Sequence, residues 1–120
     1  MPSDMRVSAT NLLRSLPGRS ADEITEDIIA GRGVRLERIV SYGQATPPGD
    51  WYDQDQAEWV MVLSGRAGLL IEGEAEERTL EAGDAIFLPS HCRHRVSWTD
   101  PNEATIWLAL FLDDDLLPEI

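Results

Sequence analysis

The stretch that decides the fold spans residues 83–94 and reads GDAIFLPSHCRH. Gly83 marks a turn, a short apolar run follows it, and Pro89 ends that run. The pattern predicts a short strand between two turns, with a positive φ at Gly83. The stretch also holds both histidines of the chain and its single cysteine. The sequence leaves three interpretations for these side chains: a metal site, the border of a substrate pocket, or the start of another strand.

Similar short runs extend in both directions from this stretch. Seven of them, rich in Val, Ile, Leu and Trp, follow Gly33 and are separated by Gly, Pro, Asn and Asp. They read VRLERIVSYG, EWVMVLSG, AGLLIEGE, ERTLEAGD, AIFLPS, HRVSW and ATIWLALFL. Short strands at this spacing are typical of an antiparallel sandwich or barrel, so we expect an all-β domain.

The run at residues 58–63 shows how one strand is placed. Successive side chains of a strand alternate between its faces, which puts Trp59, Met61 and Leu63 on one face and Glu58 with two valines on the other. Both faces are largely apolar, so both must be covered. We expect the N-terminal segment or a second subunit to cover the Trp59 face, and we expect a homodimer.

The N-terminal part has weaker signals. Residues 8–16 predict a short helix or an edge segment, and residues 20–23, SADE, resemble a helix N-cap with acidic residues in the first turn. We therefore divide the chain into an N-terminal segment, residues 1–32, and a barrel domain, residues 33–120. The segment is expected to be helical or extended, and to pack on the barrel or extend it.

Composition narrows the class of protein. The length of 120 residues suits one domain. A formal net charge of −12 repels phosphate backbones and anionic lipids, so we expect neither a nucleic-acid partner nor a membrane partner. No apolar run approaches the roughly 20 residues of a membrane span, and no secretory signal is visible. We expect a cytoplasmic protein. A lone cysteine cannot form an internal disulfide, which is compatible with a reducing compartment.

The turns and strands resemble the two sequence motifs of the cupin superfamily, a group of small β-barrels. Gly83, Pro89 and His94 have the spacing of the second motif, whose histidine is a metal ligand in the family. Glu58 and Gly65 have the spacing of the glutamate and the closing glycine of the first motif. The resemblance covers residues 33–112 and implies a small antiparallel jelly-roll β-barrel.

The chain departs from both motifs. His91 occupies the position of a glycine, and Trp98 the position of an asparagine. Both histidines of the first motif are absent; according to the spacing variant, their positions fall on Trp51 and Asp53 or on Tyr52 and Gln54. The signatures WYDQ, EWV, GD and HRV also resemble a single-domain bacterial cupin subgroup, whose members usually carry no assigned reaction.

The resemblance implies that Glu58 and His94 lie on adjacent strands and point into one cavity. There Glu58 would be a metal ligand or proton acceptor, and His94 a ligand or general acid. The implied ligands of one divalent ion, Mn, Fe, Ni or Zn, are His94, Glu58, Asp53, Gln54 and His91. A small polar molecule would contact the residues at the mouth, namely Tyr52, Gln54 and Trp98.

Each of these residues also has a purely structural interpretation. His94 could be a hydrogen-bonded core residue, and His91 a solvated turn residue. Cys92 is expected to be a buried, unreactive thiol, because the chain has no CxxC spacing. The positively charged partners that Glu58 could find instead of a ligand are Arg38, Arg93 and Arg95.

Two functional hypotheses follow from these alternatives. The first is a small-molecule-binding barrel that holds one divalent metal. The second is a metal-free ligand-binding or sensing barrel without catalytic activity, which the missing histidines favour. A third possibility is a purely structural dimerisation module. The sequence does not decide whether the chain is an enzyme.

Overall fold

A computed structural model describes residues 6–118 of the chain. Eight strands account for most of its regular structure: β1 Ile24–Gly31, β2 Val34–Ser41, β3 Ala57–Ser64, β4 Arg66–Ile71, β5 Arg78–Glu81, β6 Ala85–Leu88, β7 His94–Thr99 and β8 Thr105–Leu112. One 3₁₀ turn, Asp114–Leu116, follows them. Within this range there is no helix that could cross a membrane.

The strands form two antiparallel sheets. The larger sheet has the order β1-β2-β8-β3-β6, and the smaller has the order β5-β4-β7. Buried side chains from both sheets meet between them; Val62 and Ala109 from the larger sheet and Ala67 from the smaller are fully buried. This arrangement is the predicted all-β jelly-roll barrel.

The N-terminal part follows the extended alternative. All seven predicted strands are present, and β1 precedes them as an edge strand paired with β2. The predicted helix start at residues 20–23 is wrong, because no helix follows it and β1 begins at Ile24. Ile and Thr recur in the β1 sequence ITEDIIAG, and their branched side chains favour strand over helix. The domain boundary at residues 32 and 33 stays a prediction, and residues 1–5 and 119–120 lie outside the described residues.

Arg38 attaches the N-terminal segment to the outer face of the larger sheet. Its side chain is only 6% exposed. Its guanidinium donates to the Glu26 carboxylate at 2.6 and 3.0 Å, and to the carbonyl oxygens of Leu12, Arg14 and Ser15 at 2.8–3.3 Å. A buried charge needs such partners. The segment therefore covers the part of the outer face around β2.

Candidate functional site

A cavity of about 190 Å³ lies between the two sheets. Its apolar wall is formed by Ile39, Val60, Leu69, Leu88, Val96, Trp107 and Phe111. Its polar wall is formed by Glu23, Thr25, Arg35, Glu37, Tyr52, Gln54, Glu58 and His94. Polar groups that converge on an apolar concave surface are typical of a small-molecule site.

Glu58 and His94 meet in this cavity from opposite sheets. Glu58 is the second residue of β3 and lies on the buried face that its alternation with Val60 predicts. His94 begins β7, in the smaller sheet. Glu58 Oε1 lies 3.5 Å from His94 Nε2, and both side chains are about nine-tenths buried. The expectation of adjacent strands is therefore wrong, but the two groups do share one cavity.

The orientation of the His94 ring follows from its hydrogen bond. Nδ1 lies 2.8 Å from the carbonyl oxygen of Cys92, so we assign the proton of neutral His94 to Nδ1. Nε2 then faces Glu58. Burial alone would lower the pKa of His94, but Glu58 and the Cys92 carbonyl oxygen favour the protonated ring more strongly, so the pKa is raised above its usual 6.5.

Tyr52 holds His94 on its other side. The backbone amides and carbonyls of the two residues exchange hydrogen bonds of 2.7 and 3.1 Å. The Tyr52 ring also stacks on the imidazole, with centroids 5.4 Å apart. Burial raises the pKa of the Tyr52 phenol, and the carboxylate charges of Glu23 and Glu58 raise it further. The phenol is therefore a neutral hydrogen-bonding group.

Of the two residue pairs that the spacing variants offer for the missing histidines, Tyr52 and Gln54 are the pair at the cavity. Both line the cavity, and the lining includes neither Trp51 nor Asp53. Instead, the Trp51 ring lies against the guanidinium groups of Arg93 and Arg95, at 5.6 and 5.9 Å. The structure thus selects one of the two spacing variants left open by the sequence.

His91 and Asp53 pair outside the cavity. His91 Nδ1 lies 2.8 Å from Asp53 Oδ1, and its Nε2 lies 3.4 Å from Asp55. The His91 and Asp53 side chains are 63% and 48% exposed. The hydrogen bond that the His91 ring donates to the Asp53 carboxylate raises the pKa of His91. Both residues belong to an exposed rim, and the structure does not bring them to Glu58 and His94 as the implied ligand set requires.

Trp98 also lies away from the cavity. Simple alternation places it on the face of His94 and Val96, but the β4–β7 register shifts between Gly68 and Leu69. A bulge of this kind reverses the face of the residues that follow it. The Trp98 indole covers Gly68, where an added Cβ would lie 2.1 Å from its Nε1. The predicted ligand contact of Trp98 is not supported, because its ring does not line the cavity.

The structural alternatives for Glu58 are also not observed. Arg38 pairs with Glu26, Arg93 pairs with Glu72 at 3.0 Å, and Arg95 donates to the Thr46 carbonyl oxygen at 3.0 Å. Cys92 is half-buried against the core, and burial raises the pKa of its thiol. This environment favours the unreactive thiol that the sequence predicted.

The residues present do not fit the metal site that the family implies. Across residues 6–118 no group of three or more His, Cys, Asp or Glu side chains is placed to hold a metal ion. The cavity offers one imidazole and one carboxylate close together, beside a neutral phenol and an amide. Transition metals such as Fe and Ni bind imidazole more strongly than such oxygen donors.

Sequence reasoning missed four polar residues of the cavity: Glu23, Thr25, Arg35 and Glu37. Glu23 accepts a hydrogen bond of 3.3 Å from Ser41 Oγ, which in turn accepts one of 3.2 Å from Trp107 Nε1. Burial raises the pKa of Glu23, and the charges of Glu37 and Glu58 add to that effect against the opposing Ser41 hydrogen bond. The period-two alternation of residues 34–41 could have placed Glu37 inward, whereas Glu23 precedes a strand that was not recognised.

Comparison with known proteins supports the fold. The model of the Cupin domain family matches residues 39–111. No curated protein matches the chain. The chain is similar to a crystal structure of a "putative mannose-6-phosphate isomerase" from Ralstonia eutropha JMP134, with 48% identity, a TM-score of 0.87, and coverage of 89% of this chain and 99% of that one.

More distant structures share the fold. A cupin superfamily protein from Desulfitobacterium hafniense DCB-2 is 14% identical, with a TM-score of 0.68 and coverage of 82% of this chain and 84% of that one. The cupin domain of Schizosaccharomyces pombe Cnp3 is 12% identical, with a TM-score of 0.73 and coverage of 92% and 72%. On the family match over residues 39–111, this chain belongs to the cupin family.

Proposed function

We propose that this cupin barrel binds a small polar molecule in its cavity without a metal ion, and that Glu58 and His94 exchange protons with that molecule. The observation that carries the proposal is the Glu58–His94 pair, buried in an otherwise largely apolar cavity at 3.5 Å. An acid and a base held close together in such a place are the minimum that general acid–base catalysis requires.

The surroundings of the pair support this chemistry. The Cys92 carbonyl oxygen fixes the proton on Nδ1 of neutral His94, so Nε2 is the atom that gains or gives a proton. The raised pKa of His94 shows that Glu58 and the Cys92 carbonyl oxygen stabilise the protonated ring, which is the form that acts as a general acid. Tyr52 and Gln54 add neutral hydrogen-bonding groups that can orient a bound molecule.

The Ralstonia eutropha relative suggests the reaction class only. The name given to that protein describes an isomerase of a sugar phosphate. Isomerisation by proton transfer fits an acid–base pair such as Glu58 and His94. A phosphate group does not fit as well, since the cavity presents three carboxylates and a single guanidinium, Arg35. We therefore extend the reaction class, proton transfer, from the relative to this chain, but not the phosphorylated substrate.

Binding can be tested by titrating a library of small polar molecules into the protein and following melting temperature and NMR shifts. We expect at least one molecule to shift the signals of His94, and Glu58→Gln and His94→Gln to weaken its binding roughly tenfold or more. Glu103→Gln, which changes an exposed loop carboxylate, is the matched control. Binding that is unaffected by both cavity variants would contradict the proposal.

A second experiment separates this proposal from the metal-holding barrel. The metal content of protein purified without added metal should be far below one ion per chain. Near-stoichiometric Mn, Fe, Ni or Zn that disappears in His94→Ala would instead favour the metal-holding barrel. Asp53→Asn serves as a control, because Asp53 belongs to the implied ligand set but lies on the exposed rim.

We further propose that a second copy of this chain covers the outer face of the larger sheet around β3 and β6. Trp59 and Met61 are only half-buried there, and Phe87, paired with Trp59, is 48% exposed. Nearby outward residues of β8 are Leu108 and Leu110, so this face carries no charge while the chain as a whole carries −12. Two strongly acidic chains meet most easily on an uncharged apolar face.

Sedimentation of the purified protein tests this arrangement. The wild-type chain should sediment as a dimer, and Phe87→Arg should shift it toward monomer. Leu13→Arg, at an exposed leucine of the N-terminal segment, should leave the dimer intact. A wild-type monomer at micromolar concentration would refute the dimer.

A further inference from the structure

We propose that the ligand is a small primary amine whose ammonium group binds between Glu23 and Glu58, while its apolar body lies against Trp107 and Phe111. The inference rests on the proposed function, because it assumes that this cavity binds a small molecule. It adds the chemical class of the ligand and assigns a recognition role to Glu23.

The first support is the charge of the cavity wall. Glu23, Glu37 and Glu58 border the cavity, and the fixed cation among its lining residues is Arg35. Arg35 is already used, since its Nε lies 2.9 Å from Glu37 and its guanidinium covers the Phe111 ring at 4.4 Å. Three carboxylates against one guanidinium give the wall a formal charge of −2 when all three carboxylates are ionised and His94 is neutral. A cationic ligand would compensate for this charge.

The second support is that, among residues 6–118, no hydrogen-bond donor lies closer than 3.5 Å to the Glu58 carboxylate. The residue is 8% exposed, and the contact recorded for its carboxylate is His94 Nε2 at 3.5 Å. Charge-assisted N–H···O hydrogen bonds are normally about 2.7–2.9 Å long, so this contact leaves most of the carboxylate's accepting capacity unused. A buried carboxylate in this state favours an incoming donor.

The third support is the way Glu23 is held. Trp107 Nε1–H donates to Ser41 Oγ, and the Ser41 hydroxyl donates its proton to Glu23 Oε2. Ser41 is fully buried, so this chain of hydrogen bonds has a fixed geometry. Because both links donate toward Glu23, they favour its ionised form, and the Ser41 hydroxyl contacts one of its two oxygens, Oε2. The pKa of Glu23 is nevertheless raised, and a bound ammonium would reverse part of that shift.

The size and lining of the cavity limit the rest of the molecule. About 190 Å³ is below the roughly 300–1,000 Å³ of sites for drug-sized ligands. The apolar part of the wall is aliphatic and aromatic, and includes Val60, Leu69 and Trp107. The proposed ligand class is therefore an ammonium group on a short apolar chain or ring. An aromatic face beside the ammonium adds cation–π attraction.

Butylamine, with 1-butanol as its neutral analogue, tests the inference by NMR titration of the full-length protein at neutral pH and low salt. We expect butylamine to shift the Trp107 indole and His94 signals, and butanol to bind roughly tenfold or more weakly. Glu23→Gln should reduce butylamine affinity by a similar factor and leave butanol unchanged. Glu103→Gln, in an exposed loop, should behave as wild type.

The outcomes separate this inference from the proposed function. Equal binding of butylamine and butanol, or wild-type amine affinity in Glu23→Gln, would overturn the amine inference. If a neutral polar molecule then binds in a manner that depends on Glu58 and His94, the proposed function survives alone. If nothing binds in the cavity, both fail. Ser41→Ala provides a second variant should Glu23→Gln not fold, since it removes the donor to Glu23 and is expected to weaken amine binding.

Discussion

Each of the two histidines lies beside a carboxylate, and the surroundings of the pairs Glu58–His94 and Asp53–His91 differ in nearly every respect. Glu58 and His94 face each other across the barrel and are about nine-tenths buried. Asp53 and His91 meet on loops at the rim, at the shorter distance of 2.8 Å, but are largely exposed. The closer pair is not the better candidate for function. Water screens the charges of an exposed pair and supplies its hydrogen bonds. The two members of a buried pair depend on each other and on a ligand for theirs.

The largest expected effect tests this contrast directly. Neutralising the cavity pair by Glu58→Gln or His94→Gln should weaken ligand binding roughly tenfold or more, because each removes a buried charge or hydrogen-bonding group. Asp53→Asn and His91→Gln at the rim should change binding by less than about twofold. Titration of all four variants with one ligand makes the comparison. A rim variant that equals a cavity variant would abolish the distinction.

The second effect is the pH dependence of stability. The pKa of His94 is raised in the folded protein, so its stabilising contribution is fully present below its usual pKa of 6.5 and is lost as the pH rises through the folded value. Melting temperature should therefore fall over this interval, and Glu58→Gln should flatten the slope. The pKa of His91 is also raised, so its contribution to stability falls with rising pH in the same way.

Salt separates the two histidines in this measurement. The contribution of exposed His91 should disappear at high ionic strength, because its ion pair with Asp53 is screened. The contribution of buried His94 should persist. A pH slope that vanishes entirely with salt, or that is unchanged in Glu58→Gln, would mean that the cavity pair is not coupled as its geometry indicates.

The third effect concerns the turn before β6. Gly83 has a φ of +92°, as the sequence predicted, and open space where a Cβ would lie. Gly83→Val should cost on the order of 1 kcal/mol or more from backbone strain alone. Chemical denaturation measures the cost, with Val60 signals reporting whether the cavity keeps its shape. An unchanged midpoint would show that the turn relaxes freely.

The smallest effect belongs to the turn after β6, at the rim. His91 has a φ of +58°, although it is not a glycine, and it occupies a motif position where a glycine is expected. His91→Gly should relieve strain worth up to about 1 kcal/mol and lose only a weak surface ion pair, so stability should stay constant or rise. His91→Ala, which loses the pair without relieving φ, is the control. A clear loss of stability in His91→Gly would assign the rim pair a structural role.

Much of the fold could be predicted because short-range rules govern it. The alternation of Glu58, Val60 and Val62 places Glu58 inside, and the spacing from Gly83 to His94 places a turn, a strand and a second turn. β1 was missed because most of its side chains are exposed, so its sequence lacks an apolar alternation, and because residues 20–23 before it resemble a helix start.

The site was predicted less completely because contacts between distant residues build it. A β-bulge turns Trp98 outward, and local alternation does not reveal it. Glu23 reaches the cavity only because Ser41 and Trp107, far along the chain, position it. The implied metal ligands Asp53 and His91 do meet, but on the solvent side of the loops.

The sequence by itself determined the strands, most of the turns and the inward direction of Glu58, since the two-residue period of a strand and the φ preference of glycine act locally. Only the tertiary structure decided which charges share the cavity. Sheet packing placed His94 opposite Glu58. A register shift turned the Trp98 side chain away from the cavity, and the N-terminal segment contributed Glu23 to the cavity wall. Each of these results depends on how strands distant in sequence align, which no local pattern specifies.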